Sequence, residues 1–147
     1  MGGRPQEDAK ESRLILVDSS VWIDFLSSSP GRAGHELRRL IEEAEPFALT
    51  GVVATEVLQG LTRDEGRVEK YLAMWEMLEP SGFSTYREAA AIFRLARSKG
   101  ISLTTIDTLI AAIAIEHDAS LFSLDKDFVR VARITALRLY RPPETTF

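Results

Sequence analysis

Short apolar runs alternate along the chain with longer stretches in which apolar residues recur at helical spacing. Residues 14–17 are all apolar and lack the alternation of a half-exposed strand, so they predict a central parallel strand covered on both faces. The further predicted strands are 47–50, 121–124 and 137–140, with a short one at 77–79. The predicted helices are 21–26, 35–44, 51–60, 64–75, 84–99, 104–117 and 126–133.

This alternation of strands and helices predicts an α/β fold, a three-layer sandwich with a mainly parallel central sheet flanked by helices and right-handed crossovers. A length of 147 residues suits one domain, and no internal repeat or second domain is visible. Residues 1–13 are polar and charged, which predicts a disordered lead.

Composition excludes several classes of protein. No apolar run approaches the roughly 20 residues that span a bilayer, and no export signal is present, so we expect a soluble protein of the cytoplasm that binds no membrane. The absence of cysteine excludes disulfides, zinc thiolate sites and thiol nucleophiles. A net charge of −4 counts against nucleic-acid binding, unless acids gathered around metals account for it. The basic residues available for phosphate contact are Arg38, Arg39, Arg63, Arg67, Arg94, Arg97 and Lys126.

Two aspartates, Asp18 and Asp125, directly follow apolar strand runs. Ligands of parallel sheets bind beyond the carboxyl ends of the strands, so these side chains are expected to face one crevice. Glu56 and Asp107 lie on the helices that would flank it. Carboxylates that converge in this way repel one another unless cations lie between them. Because all the ligands would be oxygen atoms, the expected ions are Mg2+ or Mn2+.

Each acid also has a structural explanation. Asp125 can cap a helix that starts at Lys126, and Asp107 forms a capping-box pattern with Thr104. Asp18 is harder to explain as a cap, because Ser19 and Ser20 are available for that role.

Glu56 shares a helix face with valines, which predicts that it points inward, with a salt bridge to an arginine as the structural alternative. Asp24, Glu116 and Asp118 are interpreted as surface charges, and Asp127 as a first-turn acid rather than a metal contact. His35 and His117 are interpreted as surface residues, which leaves no histidine for a general base. The chain also lacks a glycine-rich phosphate loop and a Gly-x-Ser-x-Gly nucleophile elbow.

Four segments carry a family resemblance, each built around one of the acids. They are residues 14–23, 52–60, 105–112 and 123–128, and they contain Asp18, Glu56, Asp107 and Asp125 in that order. In order and spacing they resemble the acidic motifs of PIN-domain nucleases, specifically the VapC toxins of bacterial toxin–antitoxin pairs. The likeness covers residues 14–140 and predicts a PIN domain over 14–141 followed by a tail over 142–147.

The resemblance implies a PIN-like fold and Mg2+-dependent hydrolysis of RNA phosphodiester bonds by metal-activated water. It also implies homodimerisation and inhibition by a cognate antitoxin. The four acids take the family's role of metal ligands and catalytic residues. Ser20 and Ser123 match positions where the family has small polar residues that hydrogen-bond the acids or the metal's water, although threonine is commoner at the second position.

Two alternatives remain open at this point. A Mg2+-binding phosphoacceptor signalling domain is also α/β with clustered acids, but no convincing lysine follows the last strand to complete it. A catalytically silent, partner-binding PIN module is the other, and the intact set of four acids argues against it.

Overall fold

The computed structural model describes residues 14–144. The lead predicted over 1–13 lies outside this range, and so does the end of the tail predicted over 142–147. The strands are β1 (Ile15–Val17), β2 (Phe47–Thr50), β3 (Met77–Leu78), β4 (Ser120–Phe122) and β5 (Arg138–Leu139). The helices are α1 (Ser19–Leu26), α2 (Arg32–Glu42), α3 (Gly51–Gln59), α4 (Glu65–Leu72), α5 (Phe83–Ser98), α6 (Thr105–Glu116) and α7 (Asp127–Ile134).

The strands form one five-stranded sheet in the order β3-β2-β1-β4-β5, and every pairing is parallel. β1 lies in the middle of the sheet, and β2 and β3 are added on one side of it. The chain then crosses over and adds β4 and β5 on the other side. Because the winding reverses between β1 and β4, their carboxyl ends open a crevice at that point. The prediction of an α/β fold with a parallel sheet flanked by helices is confirmed.

The sheet centre is buried on both faces, as the apolar run in β1 predicted. Leu16 and Val17 in β1, Leu49 in β2 and Leu121 in β4 are each 0% exposed. Trp22 of α1, also 0% exposed, packs edge-on against Phe25 and lies at 6.0 Å from Phe47 between ring centroids. Burial of such side chains contributes about 1.5 to 3 kcal/mol each, so this core fixes β1 and α1 beneath the crevice.

Helix α2 begins three residues earlier than the pattern indicated, at Arg32 rather than His35. The cause is Asp24, whose carboxylate accepts hydrogen bonds from the backbone N–H groups of Gly31 and Gly34. Asp24 is half-buried and caps a neighbouring helix. The interpretation of Asp24 as a surface charge was therefore wrong, because the contact joins residues 10 positions apart.

The other two acids interpreted as surface charges are exposed, as expected. Glu116 nevertheless accepts hydrogen bonds from the Ser81 N–H and the Thr85 hydroxyl, and Asp118 pairs with Arg138. None of the helices between residues 14 and 144 is long and apolar enough to cross a membrane.

Candidate functional site

Asp18 lies at the carboxyl end of β1 and is only 5% exposed. It is the N-terminal cap residue of α1, but its side chain makes no capping bond. Instead, its Oδ2 accepts hydrogen bonds from the hydroxyls of Ser20 at 3.0 Å and Ser123 at 2.7 Å. Two donors of this kind stabilise a buried carboxylate in its charged form. The expectation that Ser19 and Ser20 cap α1 was wrong, because Ser20 donates to Asp18 and Ser19 donates to Glu56.

Asp125 and Ser123 follow β4, the strand next to β1 in the sheet. The Ser123 hydroxyl accepts a hydrogen bond from the Asp125 N–H at 3.0 Å, so one side chain links Asp18 to the backbone of Asp125. The Asp125 Oδ1 accepts from the Asp127 N–H at 2.9 Å. The cap position of α7 is Lys126 and its first residue is Asp127, so the helix starts one residue later than predicted. Asp127 is a first-turn acid, as interpreted, and lies 4.0 Å from Arg130.

Glu56 lies on α3, which begins at a buried threonine cap, Thr50. The prediction that Glu56 points inward among valines was wrong, because Val53 and Val57 fill the buried face and Glu56 is half-buried at its edge. Its Oε1 accepts a hydrogen bond of 2.9 Å from the Ser19 hydroxyl. Between residues 14 and 144, no ion pair joins Glu56 to an arginine.

Asp107 lies in the first turn of α6 and forms the predicted capping box. Its N–H donates to the Thr104 hydroxyl at 3.1 Å, and its Oδ2 accepts from the Thr104 N–H at 3.2 Å. This arrangement fixes the start of the helix and therefore the direction of the carboxylate.

We define the acid site as the carboxylates of Asp18, Glu56, Asp107 and Asp125. Electrostatics show that they lie near one another. Burial raises the pKa of Glu56 above its ordinary value, and the charges of Asp18 and Asp107 raise it further. Burial likewise raises the pKa of Asp107, and the charges of Asp125 and Asp18 add to that effect. Repulsion therefore acts between Glu56 and both Asp18 and Asp107, and between Asp107 and both Asp125 and Asp18.

Among residues 14–144, no positive side chain pairs with these carboxylates. Within the described part of the chain, no ion pair includes a member of the acid site. Each member also uses only one carboxylate oxygen in hydrogen bonds to residues 14–144. The oxygens that accept no such bond are Oδ1 of Asp18, Oε2 of Glu56, Oδ1 of Asp107 and Oδ2 of Asp125.

Such a donor set fits a divalent cation of the Mg2+ type, since every available ligand atom is oxygen. As the side chains stand between residues 14 and 144, no group of three or more of the acidic or histidine side chains is arranged to hold an ion. Binding one ion between several members of the acid site therefore requires side-chain rotation towards it.

Sequence reasoning did not identify Ser19 as part of this site. The Ser19 hydroxyl donates to Glu56, just as the hydroxyls of Ser20 and Ser123 donate to Asp18. The sequence signal for this role was the position of Ser19, next to Asp18 and directly after β1. The histidines take no part, as interpreted. His35 is exposed, and the Nε2 of His117 contacts the Glu79 carbonyl at 2.8 Å.

Comparisons with known proteins give consistent matches. A family model described as PIN domain matches residues 15–134. VapC ribonuclease Mb1587 of Mycobacterium bovis and ribonuclease VapC11 of Mycobacterium tuberculosis are each 36% identical over an alignment of 129 residues. The alignment covers 85% of this chain and 96% of the relative.

Solved structures share the fold. A chain of VapBC2 from Rickettsia felis, bound to a DNA fragment from its promoter, has a TM-score of 0.69 at 19% identity and covers 86% of this chain and 97% of its own length. A chain of a toxin-antitoxin complex from Klebsiella pneumoniae has a TM-score of 0.65 at 24% identity and covers 89% of this chain and 99% of its own. At these identities the structural likeness concerns the fold alone.

Proposed function

This chain belongs to the PIN-domain family as a VapC-type ribonuclease, and we propose that it hydrolyses RNA phosphodiester bonds with Mg2+ held by the acid site. The resemblance found in the four acidic segments is confirmed by the match over residues 15–134 and by the 36% identical relatives. The metal and the roles of the individual acids are inferred from the side chains of this chain.

The observation that supports the proposal is that the two oxygens of each carboxylate differ in their hydrogen bonding. One oxygen of every member of the acid site accepts a hydrogen bond from a serine hydroxyl or a backbone N–H, which anchors one end of the carboxylate. Rotation of the side chain about this anchor would turn the other oxygen towards a shared ion. The other oxygen accepts none from residues 14–144 and can bind a cation. At Asp18, which is only 5% exposed, a purely structural carboxylate would be expected to use its remaining oxygen in a salt bridge or a further hydrogen bond.

Bound Mg2+ would supply a lowered pKa for the attacking water and stabilisation of the departing oxygen. The chain's own residues supply placement. Ser20 and Ser123 hold the Asp18 carboxylate in place, and Ser19 holds Glu56. A scissile phosphate would otherwise be repelled by four carboxylates, so the negative site explains why activity should depend strictly on added cations.

The test is a cleavage assay on single carboxamide variants: Asp18→Asn, Glu56→Gln, Asp107→Asn and Asp125→Asn. Each should lose most of the Mg2+-dependent cleavage, and EDTA should abolish the wild-type activity until Mg2+ or Mn2+ is added in excess. Circular dichroism must show that the variants fold.

Matched controls are the exposed acids Glu69 and Asp64. Asp64 has φ of +61°, a conformation that asparagine also tolerates, so Asp64→Asn introduces no strain. Glu69→Gln and Asp64→Asn should both keep wild-type activity. Equal losses in the controls, or full activity in EDTA, would overturn the role of the acid site.

We infer further that the chain is the toxin of a toxin–antitoxin pair and forms a homodimer. The support is that its structural relatives include toxin-antitoxin complexes. An arginine can bind two carboxylate oxygens at once, so a basic segment of an antitoxin would suit the acid site and displace the cation.

We expect a short reading frame beside this gene that encodes the antitoxin, and the test for the partner is co-expression with it. The small protein should protect cells from this chain, and changing the basic residues of its inhibitory segment to alanine should weaken inhibition. An alanine variant that inhibits as well as its parent would exclude direct occupation of the acid site. Light scattering of the purified chain tests the dimer.

A further inference from the structure

A cavity of about 590 Å3 opens beside the acid site, beyond the carboxyl ends of β4 and β5. We call it the side cavity. The Ser123 side chain lines it and also donates to Asp18, so the two sites are separated by a single residue. Its volume lies within the range of roughly 300 to 1,000 Å3 typical of ligand pockets. Its place at this edge of a parallel sheet is also where ligands bind.

The charged wall of the side cavity comes from α2. Arg39 is neutralised there by Glu36 at 2.8 Å and Glu43 at 2.9 Å. Arg32 and His35 also line it, are exposed, and form no ion pair with any residue between 14 and 144. Because the acid site repels anions, a positive side chain in the adjacent side cavity gives an approaching polyanion a group to bind.

The helix N-terminus itself is not the attachment point. The Asp24 carboxylate already accepts hydrogen bonds from the N–H groups of Gly31 and Gly34. The N-terminus of α2, which carries the partial positive charge of the helix dipole, is therefore occupied by an acid of the same chain. An anion at this wall must therefore be held by the side chains of Arg32 and His35.

The opposite wall is apolar and rigid. Leu124 is 55% exposed, and Pro142 and Pro143 offer ring surfaces without an N–H donor. The ring of Tyr140 packs on Phe122 with centroids 5.1 Å apart, and its hydroxyl donates to Glu36. Burial, and then the bond to Glu36, raise the pKa of Tyr140 to about 12, so it is neutral at physiological pH. An apolar wall opposite a cation suits a flat base attached to a phosphate.

We propose that the side cavity receives an unpaired nucleoside next to the scissile phosphate, with Arg32 and His35 contacting the neighbouring phosphate of a single-stranded RNA. This inference rests on the ribonuclease function proposed above. A base held in a duplex cannot enter a cavity, so the preferred substrate is a loop or an unpaired strand.

The test measures RNA binding separately from cleavage. Binding of a short fluorescein-labelled RNA of mixed sequence is followed by anisotropy in the Asp18→Asn background, which should not cleave it. Arg32→Ala should weaken binding about two- to fivefold and lower the slope of log K against log salt by about 0.7, as for one lost phosphate contact. Arg87→Ala, which removes an exposed arginine outside the cavity, is the control.

A second variant tests the apolar wall without changing charge. Leu124→Ser should weaken single-strand binding at least about fourfold, the effect of losing one methylene-sized contact, and leave the salt slope unchanged. Met74→Ser, at a residue 69% exposed outside the cavity, should leave binding as it was. Both variants change exposed side chains, so folding is expected to be intact.

The proposal is overturned if Arg32→Ala and Leu124→Ser bind RNA like their controls, or if they weaken binding to a duplex as much as to a single strand. A wild-type protein that binds single strands through Arg32 yet never cleaves them would refute the ribonuclease function and leave the binding site standing.

Discussion

Ser123→Ala is the substitution that tests most directly how this site is held together. The Ser123 hydroxyl donates to the Asp18 Oδ2 at 2.7 Å and accepts from the Asp125 N–H at 3.0 Å, so alanine removes two hydrogen bonds at once. Asp18 would keep only the bond of 3.0 Å from Ser20. A buried carboxylate that loses a donor is stabilised less, and the angle at which it faces a cation is no longer fixed.

The magnitude follows from the kind of bond. A hydrogen bond to a charged group contributes about 1.5 to 3 kcal/mol, and the bond from the Asp125 N–H about 1 kcal/mol. Water can replace part of this, because Ser123 is only half-buried. We therefore expect the free energy of unfolding to fall by about 2 kcal/mol. With a urea m-value of about 2 kcal/mol/M, the midpoint would move by about 1 M.

Activity should respond separately from stability. Loss of a residue that orients a metal ligand typically costs about 10- to 100-fold in metal affinity or activity, so the Mg2+ concentration for half-maximal cleavage should rise by that order. Ser123→Thr restores a hydroxyl and should recover most of both losses. Ser98→Ala is the matched control, because its hydroxyl is exposed and donates only to the Leu95 carbonyl. If Ser123→Ala lost stability but kept the wild-type Mg2+ dependence, the idea that Ser123 positions Asp18 would be wrong.

Three further outcomes follow from the structure. Asp24→Ala should lower the free energy of unfolding by about 1 to 2 kcal/mol in urea titrations, because α2 loses its cap, while cleavage per folded molecule stays at the wild-type level. Gly34→Ala should cost about 1 to 3 kcal/mol, since the new Cβ would lie 3.0 Å from the Phe25 backbone, and an unchanged melting curve would contradict this. In EDTA the folded protein holds protons on Glu56 and Asp107 above their ordinary pKa values of 4.5 and 3.8, so deprotonation disfavours folding. The stability of the wild type minus that of the Glu56→Gln, Asp107→Asn double variant should therefore fall as pH rises through and above these values. A difference independent of pH would refute the raised pKa values, which burial and then the neighbouring acids cause.

Much of the fold could be predicted because its sequence signals are local. The unbroken apolar run of β1 predicted a strand buried on both faces, and Ile15, Leu16 and Val17 are all buried. Asp18 could be assigned to the crevice because a parallel sheet places every residue that follows a strand at the same edge. These inferences required only the order of residues along the chain.

The errors arose where distant residues decide the outcome. The start of α2 depends on Asp24, whose carboxylate accepts a hydrogen bond from the Gly34 N–H 10 residues away. For Arg39, by contrast, the deciding partners are local and stand at the i,i+3 and i,i+4 spacing of a helix. Arg39 was a candidate for phosphate contact, but it is held by Glu36 and Glu43. A helical pattern places Glu56 on the same side of α3 as valines. It does not resolve a difference of a few tens of degrees around the helix axis, which decides whether a side chain faces the core or the crevice.

The choice between cap and metal ligand, which the sequence presents for Asp107 and Asp125, does not arise in the structure. A carboxylate has two oxygens, and a backbone N–H at a helix start needs only one of them. Asp107 gives its Oδ2 to Thr104 and Asp125 gives its Oδ1 to Asp127, while the second oxygen of each accepts no bond from residues 14–144. The cap would therefore orient the carboxylate for its proposed role as a ligand. It also offsets part of the repulsion among the acids, because N–H groups at helix starts carry partial positive charge. Backbone N–H groups at helix starts support Asp107 and Asp125, and serine hydroxyls support Asp18 and Glu56, so hydrogen-bond donors offset part of the repulsion at all four acids.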